Sequence, residues 1–131
     1  MAVTFDDNAR ELLDGKNFAT VATVNPDGGP QTSVVWYVRE GDTVKFSATV
    51  NRQKVRNLLR DPRVSVTVFD TANPYHSLEI RGTADVAEDP DKALPPLLSR
   101  RYLGQEAFEE PADVKRVVVT VTPEKLVSFS T

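Results

Sequence analysis

Arg52, Lys54 and Arg56 alternate along the stretch NRQKVRNLLRDPRVSV, residues 51–66. Asn51, just ahead, is a residue type that caps helix starts by accepting a hydrogen bond from a free backbone N–H. With that cap, Arg52 and Lys54 fall in the first helical turn. A helix start already carries the positive pole of the macrodipole, so cations there are mildly unfavourable. Two readings are open. The three side chains can lie on solvated surface, paired at little gain with Glu40, Asp42 or another acid. Alternatively, an anion from outside the chain belongs there. Free N–H groups at a helix start suit phosphate, and Arg adds a planar fork while Lys adds a point charge. Arg60, two turns on, reads as surface. The spacing is not that of a Walker loop and no G-x-G-x-x-G occurs, so nucleotide binding through those motifs has no support.

The elements around this segment are short. Thr4 and Asp7 have the spacing of a capping pair. Phe5, Ala9, Leu12 and Leu13 then follow at helical intervals, and Gly15 is a stop, giving a helix near 5–14. NFATVATV (17–24) reads as a strand, NPDGG (25–29) as a turn and PQTSVVWYV (30–38) as a second strand. EGD (40–42) turns the chain into a third strand, TVKFSATV (43–50). In the basic helix Val55, Leu58 and Leu59 define a buried face, and Asp61-Pro62 ends it. RVSVTVF (63–69) is a fourth strand, DTANPY (70–75) a loop, and SLEIRGTADV (77–86) a fifth strand with Gly82 at a bulge. Asp89 and Pro90 read as N-cap and N1 of a helix to about Tyr102. GQEAFEEPAD (104–113) reads as irregular or partly helical, RVVVTVTP (116–123) as a sixth strand and KLVSFS (125–130) as a short seventh. Six or seven short strands with small helices point to an antiparallel barrel, which removes exposed sheet edges.

Composition bounds the function. The 131 residues fit one domain spanning 1–131, and 40 % apolar with 27 % charged residues is an ordinary globular balance. A net charge of −3 argues against a general nucleic-acid or anionic-membrane binder. No cysteine means no disulfide, thiolate metal site or cysteine nucleophile. One histidine, His76, is too few for a protein-only zinc site, so no metal is expected. The start MAVTFDDNARELL lacks the basic n-region and apolar run of a signal peptide. No apolar run approaches the roughly 18 residues of a membrane span. The expectation is a soluble cytoplasmic protein.

Four segments in order, FATVATVNPDGGPQTSVVWY, NRQKVRNLLRDPRVSVTV, NPYHSLEIRG and KRVVVTVTPEKLVSF, resemble the split-barrel flavin and deazaflavin oxidoreductases. This superfamily includes the pyridoxamine 5′-phosphate oxidases, and the likeness is greatest to its branch that uses the deazaflavin coenzyme F420. It covers roughly 5–130, and its most specific pieces are R-x-K-x-R-N-L (52–58) and N-P-Y-x-x-L-E-I-R-G (73–82). The resemblance implies a mainly β fold with small helices, a six-stranded antiparallel split barrel of the FMN-binding type. It implies a homodimer with two cofactor sites at the subunit interface. Arg52 and Lys54 are then the phosphate contacts, with Arg56 and Asn57 as further candidates. Gln31, Ser33, Val34, Val35 and Trp36 would line the ring system, and Ser47, Ala48 and Thr49 would connect it to the basic helix. Tyr75 and His76 would approach from the partner subunit, near the substrate. Each has a plainer alternative: Trp36 as core packing, Tyr75 as a loop anchor, His76 as a solvated surface group. Glu79, Arg81 and Asp85 fit cross-strand ion pairs, and Val117, Val119 and Val121 fit the core or a dimer interface.

The activity so implied is hydride transfer between coenzyme F420 and an unsaturated small organic substrate, with a proton from Tyr75, His76 or solvent. The cofactor carries the redox chemistry while the protein positions it and excludes water. FMN offers the same tricycle, ribityl chain and phosphate. An FMN oxidoreductase of the pyridoxamine 5′-phosphate oxidase type is therefore the alternative, as is a non-catalytic flavin or F420 carrier. Arg39, Lys45 and Arg63 are candidates for the acidic tail of F420. Binding of single-stranded nucleic acid fits least, given the acidic charge.

Overall fold

Alternation with a period of two builds the sheet. In a computed structural model, which describes residues 2–106 and 108–130, β1 (Ala19–Val24) buries Ala19, Val21 and Thr23. β4 (Thr43–Thr49) buries Val44, Phe46 and Ala48, and β5 (Arg63–Asp70) buries Val64, Val66 and Val68. β7 (Arg116–Phe129) adds Val117, Val119 and Val121 to the same core. Leu78 and Ile80 of β6 (Asn73–Glu88) join them. Two helices close the core: α1 (Asp7–Asp14) through Leu12 and Leu13, and α2 (Gln53–Arg60) through Val55 and Leu58.

With β2 (Pro30–Val35) and β3 (Val38–Glu40), the strands form one seven-stranded antiparallel sheet in the order β2-β1-β5-β6-β7-β4-β3. This corrects the expected six-stranded barrel: the sheet has seven strands and is not closed by hydrogen bonds. The stretch 30–38 is not one strand. It breaks at Trp36 and Tyr37 into β2 and β3, which take opposite edges of the sheet. The three residue steps from Val35 to Val38 span at most about 10 Å, so the two edges meet at that corner and the sheet is rolled.

The stretches 116–123 and 125–130 are one strand rather than two. Arg81 faces Lys125 and Gly82 faces Pro123, which leaves Glu124 as the extra residue of a bulge. The bulge falls at Gly82, as expected, because the strands approach so closely there. A Cβ on Gly82 would lie 1.9 Å from the Thr122 carbonyl oxygen. The loop expected at 70–75 shrinks to a turn at 71–72, so Tyr75 and His76 stand on β6.

The helix starts also differ from expectation. Asp6, not Thr4, caps α1 by accepting from the Ala9 N–H at 2.8 Å. Asn51 does not cap α2: the N-cap is Arg52, which makes no side-chain cap bond. Leu59 is 64 % exposed, and Asn57 takes the buried position expected of it. α3 (Leu94–Leu103) starts four residues after Pro90, because 89–92 form a turn with Lys92 at φ 51°. Asp89 still serves its start, accepting from the N–H groups of Ala93 and Leu94 at 3.0 and 3.1 Å.

α3 lies against the corner. The Tyr37 N–H donates to the Tyr102 hydroxyl at 3.3 Å, and the Tyr37 carbonyl accepts from Arg101 Nε at 2.9 Å. Arg101 also donates to the Leu13 and Gly15 carbonyls, at the end of α1. The Tyr37 hydroxyl donates to the Leu13 carbonyl at 2.8 Å, and burial raises its pKa far above the usual phenol value.

Gly82→Ala is expected to lower stability by about 1–3 kcal/mol, the usual cost of overpacking. The check is the urea midpoint against the wild type; an unchanged midpoint would show that the bulge can absorb a methyl group.

Candidate functional site

The turn at 50–52 carries the chain from the end of β4 into α2, and α2 enters without an acidic residue in its first turn. Beside that entry lies a cavity of about 270 Å³. Arg52 and Lys54 line it from α2, and Ser47, Ala48 and Thr49 from β4. Val34, Val35 and Trp36 form the β2 side, and Pro95, Leu98, Phe108 and Arg116 cover it. Arg52 and Lys54 make the α2 side cationic, and Val34, Val35, Trp36, Pro95, Leu98 and Phe108 make apolar walls, with Arg116 a third cation in the cover.

The cations on the α2 side are uncompensated. Lys54 Nζ donates to Ser33 Oγ at 3.2 Å, a neutral partner. Among the described residues, neither Arg52 nor Lys54 has a carboxylate within salt-bridge distance. Burial, and then the nearby Arg52 charge, lower the Lys54 pKa from the usual lysine value. Ser47 Oγ is buried with no hydrogen-bond partner among the described residues. A buried hydroxyl left unpaired costs about 1–3 kcal/mol, so a polar ligand atom would satisfy it.

Trp36 is not core. It is 36 % exposed and stacks on Tyr102, with ring centroids 5.0 Å apart and planes at 7°. Phe18 stacks on Tyr102 as well, at 5.5 Å. One indole face is thus backed by an aromatic ring, and the residue borders the cavity.

Of the expected site residues, Val34, Val35, Trp36, Ser47, Ala48, Thr49, Arg52 and Lys54 come together here, with Ser33 just behind Lys54. Others do not. Arg56 turns back to the Asn51 carbonyl and to Gln53 Oε1 at 2.7 Å. Gln31 accepts from Thr23 Oγ1 at 2.7 Å, and Asn57 is fully buried. Within one chain Tyr75 and His76 lie away from this cavity. Tyr75 is 65 % exposed, and His76 borders a small cavity beside α1, its Nδ1 3.9 Å from Asp70. Arg39, Lys45 and Arg63 are committed to Asp14, Glu40 and Asp61.

Sequence reasoning missed Arg116, Phe108, Pro95 and Leu98. Arg116 reaches the cavity because it pairs with Thr49 across β4 and β7. It packs over the Phe108 ring at 5.3 Å and binds Glu110, which also holds Lys92 at 2.9 Å. Hydrogen bonding from Arg116 is the main reason the Glu110 pKa lies below the usual range. No local spacing signals these contacts, since they depend on strand pairing.

The lining holds no carboxylic acid, histidine or tyrosine among the described residues. Its own side chains can seat an anion and a flat apolar body, and redox chemistry there would have to come from a bound cofactor. The sequence matches the family model of the pyridoxamine 5′-phosphate oxidases over residues 5–129. The chain belongs to the pyridoxamine 5′-phosphate oxidase family. Solved structures place it within the wider split-barrel superfamily that includes these oxidases. It is 36 % identical to an F420 reductase, with a TM-score of 0.84, covering 94 % of this chain and 98 % of that one. A conserved hypothetical protein from Mycobacterium tuberculosis is 24 % identical with a TM-score of 0.77, covering 98 % and 86 %. A Listeria innocua protein named for pyridoxamine 5′-phosphate oxidase is 20 % identical with a TM-score of 0.73, covering 93 % and 95 %. The last two share the fold. Among the described residues, no helix is long and apolar enough to cross a membrane.

A lowered Lys54 pKa means that its charge is lost at a lower pH than that of a free lysine. Affinity for sulfate, whose own charge is constant, is therefore expected to begin falling at a lower pH than the titration of an ordinary lysine, as pH rises toward the usual lysine range. Lys54→Arg should keep the affinity flat over that range, because arginine stays protonated. Calorimetric titration of both proteins checks this, and parallel pH profiles would remove Lys54 from the anion seat.

Proposed function

We propose that this protein is an F420-dependent oxidoreductase that transfers a hydride between coenzyme F420 and an unsaturated small organic substrate. The observation that carries the reading is the pair Arg52 and Lys54, cations without a carboxylate partner among the described residues, in a cavity with apolar walls at Val34, Val35, Trp36, Pro95, Leu98 and Phe108. Likeness to a protein named F420 reductase, at 36 % identity over nearly the whole chain, supports the deazaflavin. The residues present fit such a group: cations for its phosphate, the orphaned Ser47 hydroxyl for a polar atom, and apolar walls for its ring.

Bound there, the coenzyme would supply a hydride to an electron-poor double bond, and a proton would complete the product. The chain's own residues bind and orient. Arg52 and Lys54 hold the phosphate, and Val34, Val35 and Trp36 flank the ring. Pro95, Leu98 and Phe108 keep water out. Among the described residues the lining holds no carboxylic acid, histidine or tyrosine, and Lys54 is committed to the phosphate, so the proton is assigned to solvent or to a second copy of the chain.

A homodimer is part of the proposal. Phe69, Ser77 and Phe129 align across β5, β6 and β7, and Phe69 and Phe129 are 39 % and 53 % exposed. Val127, two residues before Phe129 on β7, and Tyr75 on β6 are exposed as well. The cavity of one chain is also smaller than the roughly 300–1,000 Å³ of most ligand sites. A second copy would cover the apolar strands, enlarge the site and bring Tyr75 and His76 to it. Phe129→Glu is expected to shift the protein from dimer to monomer in sedimentation; a wild-type protein that sediments as a monomer would remove this part.

FMN is the second reading, favoured by the family match itself. Titration with both cofactors decides between them. F420 binding is expected, and Arg52→Gln with Lys54→Gln should weaken it about 100-fold or more, through loss of two charge-assisted hydrogen bonds. Lys45→Gln should leave it unchanged. Tight FMN binding with no F420 binding would overturn the first choice. Binding of reduced F420 with no oxidation by any acceptor would favour a carrier.

A further inference from the structure

Asn57 is a fully buried amide on the same helix as the proposed phosphate seat. Its Nδ2 donates to Thr23 Oγ1 and to Asn25 Oδ1, both at 2.9 Å. Its Oδ1 accepts from Gln53 Nε2 at 2.8 Å and faces Arg60 at 3.5 Å. A guanidinium can only donate, which fixes the amide orientation. Both amide hydrogens and the oxygen are thus used by the protein, and none is left for a ligand.

The partners lie on separate pieces of chain. Thr23 is on β1, and its hydroxyl donates to Gln31 of β2 at 2.7 Å. Asn25 opens the turn between those strands. Asn57 therefore fastens α2 to the hairpin of β1 and β2. One turn earlier on α2, Lys54 reaches Ser33 of β2. Arg52 and Lys54 form the cationic α2 side of the cavity, while Val34 and Val35 of β2 form part of its apolar wall.

We propose that Asn57 is a positioning residue that sets the separation between the anion seat and the ring wall without touching the ligand. The inference rests on the reading of Arg52 and Lys54 as a phosphate seat. A ligand that spans ring and phosphate needs both walls at a fixed spacing, whereas one that lacks the phosphate needs only the apolar wall.

The test compares coenzyme F420 with the phosphate-free deazaflavin alcohol. Asn57→Asp keeps the shape and the acceptor toward Gln53 and Arg60 but loses both donors; it also adds a negative charge near the seat, which the uncharged Thr23→Val variant does not. It is expected to weaken F420 about tenfold and the alcohol by less than about twofold. In an Arg52→Gln/Lys54→Gln background the same change should cost F420 less than about twofold, because the misplaced groups are already gone. Thr23→Val removes one partner from the far side, should show the same pattern, and serves if Asn57→Asp fails to fold. Wild-type F420 affinity in folded variants at Asn57 and Thr23 would overturn the inference. Equal losses for both ligands in both backgrounds would overturn it too, leaving a merely structural role. If Arg52→Gln with Lys54→Gln leaves F420 affinity intact, the phosphate seat itself falls and the inference falls with it.

Discussion

Two residues connect opposite edges of the sheet, and most of the architecture follows from that constraint. At Trp36 and Tyr37 the chain leaves one strand ladder and enters another, so the Tyr37 backbone groups are buried away from regular pairing. A buried polar group without a partner costs about 1–3 kcal/mol. Tyr102 and Arg101 supply the partners, and both are on α3. The helix is therefore obliged to lie across the corner. From that position it lends Pro95 and Leu98 to the cavity. The cover over the site is a by-product of satisfying a backbone corner.

Charge is distributed unevenly around this frame. Arg10, Arg39, Lys45, Arg63 and Arg81 each lie against a carboxylate. From 52 to 60 the chain carries four cations and no acid, and the helix starts without a side-chain cap. Burial of Lys54 makes its charge less favourable still. An anion in the cavity relieves all three conditions at once. An anion that bound only the folded state would also stabilise that state by mass action.

The strands were legible because their alternation is local and strict. The Gly82 bulge was legible for a similar reason: glycine inside a β-branched run has few other uses. The break at Trp36 and Tyr37 was not, since PQTSVVWYV runs through the corner as an unbroken β-branched and aromatic stretch, VVWYV, with no Gly or Pro to mark it, and only the rolling of the sheet separates the two edges. The cations at 52 and 54 could be read from residue type and position. Asn57 reads from the sequence as a further candidate beside the cations, whereas its amide is bonded to Gln53, Thr23 and Asn25. The amide pair at Gln53 and Asn57, four residues apart on one helix face, was the signal available. Arg116 and Phe108 had no such signal, because strand pairing and the path of 104–115 bring them to the cavity from more than fifty residues away.

The chain has a single tryptophan. Because that indole sits at the corner, backed by Tyr102 and bordering the cavity, its emission comes from one place only. No second indole blurs the signal. The fold thus contains its own optical gauge of whether the cavity is filled, and it needs no attached dye.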